Sequence, residues 1–309
     1  MSFERIDLSD DKTLVFGANG FLGSAITNTL SVSGRNVTAV IRPDASRQQL
    51  LENSKLRIIG MSPHLWPKLL ADLKPTHVIC AQWSGVQKNL RGDINVQESN
   101  LASIIELAKV AKSLSINTFI GLGSQAESIE STSLITEEIS RSGTSPYGKA
   151  KSKLCSELLS IFEDSYTRFI WARVFSVYGP SDKSDSILME LYKSELEGDE
   201  LNVDNPKTLW SFLYEDDFAD AVKRILESTN VSGVVNIANP QLVEIQRIVD
   251  TWLGSSHNSS EGYENDKVEE GFFPIVGKLK SIGWAPEVSL EEGIQRTREA
   301  YRRRFNSNY

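Results

Sequence analysis

Short apolar runs of strand-forming residues alternate, through the first half of the chain, with stretches whose apolar positions recur at helical intervals. The runs are residues 13–16, 36–41, 56–60, 76–81, 117–124 and 169–174. Helical spacing follows the first run at 24–30, recurs over 101–114 with Asn100 as a candidate cap, and returns where Leu154, Leu158, Leu159 and Phe162 mark one face. This alternation predicts an α/β fold, a doubly wound parallel Rossmann sheet whose ligands sit at the carboxyl ends of the strands. Beyond Gly179 the pattern loosens: 186–198, 243–253 and 290–303 read as helices, and 254–271 as a polar loop or mobile lid. The expected division is a dinucleotide-binding domain over 1–175, with 208–240 returning to it, and a smaller C-terminal cap from 176–207 and 241–309 that chooses the substrate.

The first run meets three glycines spaced three apart, Gly17, Gly20 and Gly23, before the first helix. Gly17 suits a tight bend, Gly20 a close approach of backbone to pyrophosphate, and Gly23 the packing of helix on strand. Helix N–H groups and the positive dipole end would then meet phosphate. Gly17, Asn19, Gly20, Phe21, Leu22 and Gly23 are therefore candidate cofactor residues.

Composition narrows the chemistry. Of 309 residues, 40% are hydrophobic and 24% charged, which is ordinary for a globular chain. No apolar run approaches a membrane span and no signal-peptide core opens the chain, so no membrane partner and a cytoplasmic location are expected. Cys80 and Cys155, each in an apolar setting, read as buried thiols, and three scattered histidines offer no metal site. The net charge of −8 argues against nucleic-acid binding. The arginine-rich stretch from Arg296 to Arg304 reads as the solvated side of a terminal helix.

The end of the second run bears on cofactor choice. An acidic residue there would accept bonds from the ribose hydroxyl of NAD, but the position holds Ile41, followed by Arg42 and, a little further on, Arg47. A guanidinium fork matches a 2′-phosphate, so NADP(H) is preferred, with NAD(H) possible and Arg42 the residue concerned. After the fourth run, Ala81 is small enough to pass a cofactor, while Trp83 and Ser84 face a substrate.

Tyr147 and Lys151 lie one helical turn apart and share a face. A nearby ammonium favours phenolate, which suits a group exchanging a proton near neutrality. Tyr263 and Lys267 repeat the interval within the polar loop, without a strand-end partner, and read as a decoy. Ser124, closing the fifth run, supplies that partner for the first pair.

Taken together, the glycine turn, Ser124, Tyr147 with Lys151, residues 173–180, 210–217 and the Gly283-Trp284-Ala285-Pro286 region resemble the extended short-chain dehydrogenase/reductase family, particularly its nucleotide-sugar epimerase/dehydratase branch. The resemblance implies that Tyr147 protonates a substrate oxygen as hydride arrives, that Ser124 holds that oxygen, and that Lys151 bonds the nicotinamide ribose. It places Asn100 near the cofactor and makes a homodimer through the helices carrying Asn100 and Tyr147 plausible. Dehydratases of this branch have an acidic pair after the catalytic hydroxyl, where this chain has Gln125-Ala126, so dehydration is not expected. Epimerases of the branch usually have asparagine at Ser176 and arginine at Trp210, both on the diphosphate; with Gln125, these are the remaining candidate substrate residues. The run 123–127 looks like deoxysugar-pathway enzymes. The expected function is therefore NADPH-dependent reduction of a keto group, at C4, of a nucleotide-linked deoxysugar. The alternatives are an NAD(P)-dependent nucleotide-sugar epimerase, a reductase of a small non-nucleotide ketone, and a non-catalytic NADP-sensing regulator.

Overall fold

Seven parallel strands form one sheet, and the side chains along each strand alternate between two apolar layers. The computed structural model describes residues 12–128, 134–138, 143–182, 186–199, 201, 203–254 and 273–306. Its elements run β1 (Lys12–Phe16), α1 (Phe21–Val32), β2 (Asn36–Ile41), β3 (Leu56–Gly60), α2 (Trp66–Leu73), β4 (His77–Cys80), α3 (Ile94–Ser113), β5 (Thr118–Leu122), β6 (Leu134–Ile135), α4 (Pro146–Phe162) and β7 (Arg168–Val174). They continue with β8 (Val177–Tyr178), α5 (Ile187–Glu197), β9 (Leu209–Ser211), β10 (Leu213–Tyr214), α6 (Glu215–Glu227), β11 (Gly233–Ile237), β12 (Leu242–Glu244), α7 (Ile245–Leu253), β13 (Phe273–Pro274), α8 (Gly277–Ser281) and α9 (Leu290–Asn306). The sheet order is β11-β7-β5-β4-β1-β2-β3. The chain winds one way from β1 and the other way from β4, leaving a crevice at the carboxyl ends of these two neighbours.

Period-two alternation sorts the core. Leu14, Phe16, Val78, Phe119, Phe169 and Trp171 pack on one face with α2, α3 and α4, while Val15, Ile79, Ile120 and Ile170 pack on the other with α1 and α6. At about 1.5–3 kcal/mol for each fully buried large side chain, these two layers dominate the favourable side of folding. A third cluster, around Tyr178, Tyr192, Phe212, Trp252, Ile294 and Tyr301, joins α5, α7 and α9 beside the sheet.

A polar bridge ties the loop after β2 to this outer part. Gln49 donates to the Ser181 carbonyl at 2.7 Å. The N–H and hydroxyl of Ser181 in turn donate to Glu215 at 3.0 and 3.1 Å.

Two sequence expectations change. Asn100 is no cap: α3 begins at Ile94, and Asp93 caps it by accepting from the N–H groups of Asn95 and Val96. An aspartate side chain takes the orphan donors of a first turn, whereas the 101–114 spacing had registered only the buried part of the helix. The strand expected over 117–124 ends at Leu122, leaving Ser124 in the following turn. Most of the polar loop, with Tyr263 and Lys267, lies outside the described residues.

Candidate active site

The glycine turn joins β1 to α1 at the edge of the crevice. Gly17 has φ +76°, and a Cβ there would stand 2.6 Å from the Gln82 Cα. A Cβ on Gly23 would stand 2.1 Å from the Gly17 carbonyl oxygen, so only glycine lets α1 rest directly on the turn. Gly20 caps α1 without a side-chain bond, which leaves the first N–H groups, those of Phe21, Leu22 and Gly23, for an external acceptor. This cradle fits a dinucleotide pyrophosphate. Asn19 donates to the Ser46 carbonyl at 3.1 Å and ties the turn to the loop after β2. Arg42 is exposed at the carboxyl end of β2, next to the buried Ile41.

Across the crevice, Ala81 continues β4 by donating its N–H to the Phe16 carbonyl at 2.9 Å. Trp83 follows, its indole N–H donating to Gln97 at 2.9 Å. Asn100, buried within α3, grips the Ser84 backbone from both sides: it accepts the Ser84 N–H at 2.8 Å and donates to its carbonyl at 3.1 Å. Asn100 thus shapes the loop that carries Trp83 and the exposed Ser84.

Ser145 caps α4 by accepting from Gly148, with Pro146 in the first turn. A Cβ on Gly148 would stand 2.3 Å from the Ala126 carbonyl oxygen, so its absence lets α4 press against the turn that follows Ser124. Tyr147 is thereby brought beside Ser124, close enough for the serine hydroxyl to favour its ionised form. Lys151 donates to the Leu122 carbonyl at 2.7 Å and lies over the Trp83 ring at 3.7 Å. Trp83 meets the Tyr147 ring edge-on at 6.0 Å. The three residues expected to be catalytic and the expected substrate residue Trp83 are therefore in one place.

Burial raises the Tyr147 phenol above its usual range, and the Ser124 hydroxyl and the Arg91 guanidinium oppose that shift. Arg91 lies 5.3 Å from the Tyr147 ring. Beside Lys151, whose ammonium stands 6.0 Å from the Tyr147 ring, Arg91 is a second cation at the phenol, one the sequence did not single out. Lys151 is itself depressed to about 8 by burial, with Glu127 and Cys80 pulling the other way.

Beneath Ser124 lies a cluster to which the sequence had given no role. Glu127, 1% exposed, accepts from the Ser124 N–H at 2.6 Å, from the Trp171 indole at 2.9 Å and from Arg173 at 3.4 Å. Arg173 reaches on to Asn236 at 3.3 Å and to the Thr136 carbonyl. An arginine inside an otherwise apolar strand was the available signal, since a buried guanidinium demands a counter-ion.

On the outer side, Gln125 donates to the Ser176 hydroxyl at 3.2 Å, and the Trp210 indole N–H donates to the same oxygen. These three expected substrate residues meet in an uncharged network spanning the sheet and the β9–β12 ribbon. Among the described residues no group of three His, Cys, Asp or Glu could hold a metal ion, and no helix is long and apolar enough to cross a membrane.

The model of the NAD dependent epimerase/dehydratase family matches residues 13–238. UDP-glucuronic acid decarboxylase 3 of Arabidopsis thaliana is 32% identical over 144 residues, which are 44% of this chain and 41% of that protein, so the match spans less than half of the relative. The uncharacterized UDP-glucose epimerase YtcB of Bacillus subtilis is 24% identical over 305 residues, 92% of this chain and 95% of that one. Among solved structures, UDP-glucuronic acid 4-epimerase from Bacillus cereus in complex with NAD superposes with a TM-score of 0.80 at 23% identity, covering 95% of this chain and 99% of that chain. UDP-glucose 4-epimerase from Thermotoga maritima with UDP-glucose gives 0.78 at 19% identity, with 95% and 99% covered. At such identities the superpositions speak for the fold.

Proposed function

This chain belongs to the NAD dependent epimerase/dehydratase family, and from that premise we propose that it is an NAD(P)-dependent epimerase of a nucleotide-linked sugar, working through a transient ketone at C4. The observation that carries the reading is the convergence of Ser124, Tyr147 and Lys151 at the crevice that the glycine turn borders, with Lys151 fixed on the Leu122 carbonyl and Tyr147 held against Trp83. Nicotinamide chemistry, when the dinucleotide is bound, supplies the acceptor and donor of hydride. Gly17 to Gly23 would hold its pyrophosphate and Arg42 its adenosine end. Tyr147 takes the proton from the sugar hydroxyl during oxidation and returns it during reduction, while Ser124 keeps the same oxygen in line. Lys151, half-neutralised near pH 8 by burial, is poised to respond to a ribose hydroxyl that offers it a partner.

Net reduction at C4, which the sequence alone favours, is the second reading. It draws on the exposed Arg42 and on Ile41 standing where an acidic residue would select NAD. Support for epimerisation comes from the relative matched over nearly its whole length, which is named an epimerase, and from the NAD in the superposed complex. The uncharged Gln125–Ser176–Trp210 network also accommodates a less anionic substrate.

The test is to incubate the purified protein with UDP-glucose and UDP-glucuronic acid and follow the sugar by NMR, without and with added NADPH. Epimer formed without net consumption of nucleotide supports the first reading; stoichiometric NADPH oxidation with a 4-keto sugar supports the second. Tyr147→Phe should slow either by about 10²- to 10⁴-fold. Calorimetric titration with NADH and NADPH, repeated on Arg42→Ala, decides the cofactor: equal affinity in the parent protein would sink the NADP preference.

A further inference from the structure

We infer that Glu127 is a positioning residue of the catalytic hydroxyls: its buried carboxylate fixes the Ser124 backbone from beneath and turns its negative charge toward Tyr147 and Lys151. The inference rests on Tyr147 as the proton-transferring group of the reading above.

The pocket is built for the ionised form. Among the described residues each partner of Glu127 is a donor: the Ser124 N–H, the Trp171 indole and the Arg173 guanidinium. A protonated carboxyl would have no acceptor among them. Room for the carboxylate comes from Gly123, whose Cβ would stand 2.6 Å from a Glu127 carboxylate oxygen and 2.4 Å from the Trp171 indole nitrogen. The Ser124 hydroxyl accepts from the Ala126 N–H at 3.2 Å, so hydroxyl and carboxylate close a reciprocal cap around one turn. A shift of the carboxylate therefore moves the Ser124 hydroxyl that stands beside Tyr147.

Among the described residues, titratable and charged groups face it from several elements. Arg173 faces Glu127 from β7, with Glu137 beyond it, and Lys151, Tyr147 and Cys155 face it from α4; Cys80 on β4 touches the field through Lys151. Glu127 itself is pushed upward by burial and drawn back by Arg173, Trp171, Ser124 and Lys151. Its negative charge holds Tyr147 toward the phenol and Lys151 toward the ammonium. Removing it should move both ionisations downward, a direction that plain loosening of the site by water entry would not give for lysine.

Glu127→Gln, Glu127→Asp and the double variant Glu127→Gln/Arg173→Met test this on full-length protein carrying carbon-13-labelled tyrosine and lysine. Tyr147 and Lys151 signals would be assigned from Tyr147→Phe and Lys151→Met. In Glu127→Gln the Tyr147 and Lys151 ionisations should both fall, because the carboxylate charge that raises each of them is gone. Turnover should fall ~10- to 100-fold, through kcat rather than KM, as expected when a reacting group is misplaced by less than a bond length. Glu127→Asp, which keeps the charge on a shorter stem, should restore the ionisations and leave only part of the kcat loss. If Glu127→Gln alone does not fold, the double variant removes the buried cation together with the anion; loss of the cation acts the other way, so the shifts should be smaller but still downward. Unmoved ionisations in either folded Gln variant overturn the inference. Shifted ionisations with no turnover on any sugar nucleotide support Glu127 and overturn the proposed substrate class instead.

Discussion

The ammonium of Lys151 lies 3.7 Å from the centroid of the Trp83 ring, and Gln97 locks that ring by its indole N–H. Trp83 is thus the cover that keeps Lys151 out of water, and burial is the first cause of its depression to about 8. Trp83→Ala should admit water and raise the Lys151 ionisation toward the free-lysine range. Loss of the ring face acts the other way, but such a contact is worth only about 0.5–2 kcal/mol. Carbon-13 NMR of labelled lysine reads the result; an unchanged or lower value would show that the indole is not the cover.

Gly23→Ala places a methyl group against the Gly17 carbonyl oxygen, where 2.1 Å is available. Backbone must shift, at a cost of about 1–3 kcal/mol for an overpacked site. The turn that would meet the pyrophosphate is distorted by the same movement. Thermal unfolding should show the loss of stability, and calorimetry a loss of dinucleotide affinity exceeding tenfold, roughly 1.4 kcal/mol. Parent-like affinity would remove the glycine turn from the cofactor site.

Arg91→Gln removes the cation that lies 5.3 Å from the Tyr147 ring and opposes the rise of its phenol. The Tyr147 ionisation should therefore rise, and the limb of the pH–rate profile that depends on phenolate should move to higher pH. Glu127→Gln is expected to move it the opposite way. Opposite displacements from two single-charge deletions would identify Tyr147 as the titrating group; parallel ones would point to another residue.

Glu215, 7% exposed, is pushed up to about 7 from 4.5 by burial, against its bonds from Ser181. Between those values the folded chain holds a proton that the unfolded chain has released, so stability falls as pH rises across the window. At about 1.4 kcal/mol per pH unit this group alone accounts for roughly 3 kcal/mol. Glu215→Gln, which retains an acceptor for the Ser181 N–H, should flatten the dependence of Tm on pH over that range. A profile as steep as the parent's would place the titration elsewhere.

The sheet and the glycine turn were legible in the chain because both are local: period-two runs, glycine spacing and a tyrosine and lysine one turn apart are set by neighbours in sequence. Ser124 could be paired with Tyr147 because strand ends and helix starts converge in this architecture. The Glu127 cluster was not legible in the same way. Its partners come from a turn after β5, from β7 and, through Arg173, from β11, and nothing local links residue 127 to residues 171, 173 and 236. Asn100 misled for a related reason: asparagine is a favoured cap, and only the loop packed against α3 shows that its amide serves Ser84. The approach of Arg91 to Tyr147 was not legible either, because the loop that carries it lies far from residue 147 in sequence.

The Glu127–Arg173 pair also sets an order of events during synthesis. A chain emerging from the ribosome presents Ser124, Glu127, Tyr147 and Lys151 before Arg173 and Trp171 exist to meet the carboxylate. At roughly 5–20 residues per second, that interval lasts a few seconds. Until it ends, burying Glu127 would leave an acid without its donors, so the triad cannot be locked in by the N-terminal half alone. Nascent chains halted before and after residue 173 should accordingly differ in protease resistance around Ser124, the longer ones closing the active site as β7 enters the sheet.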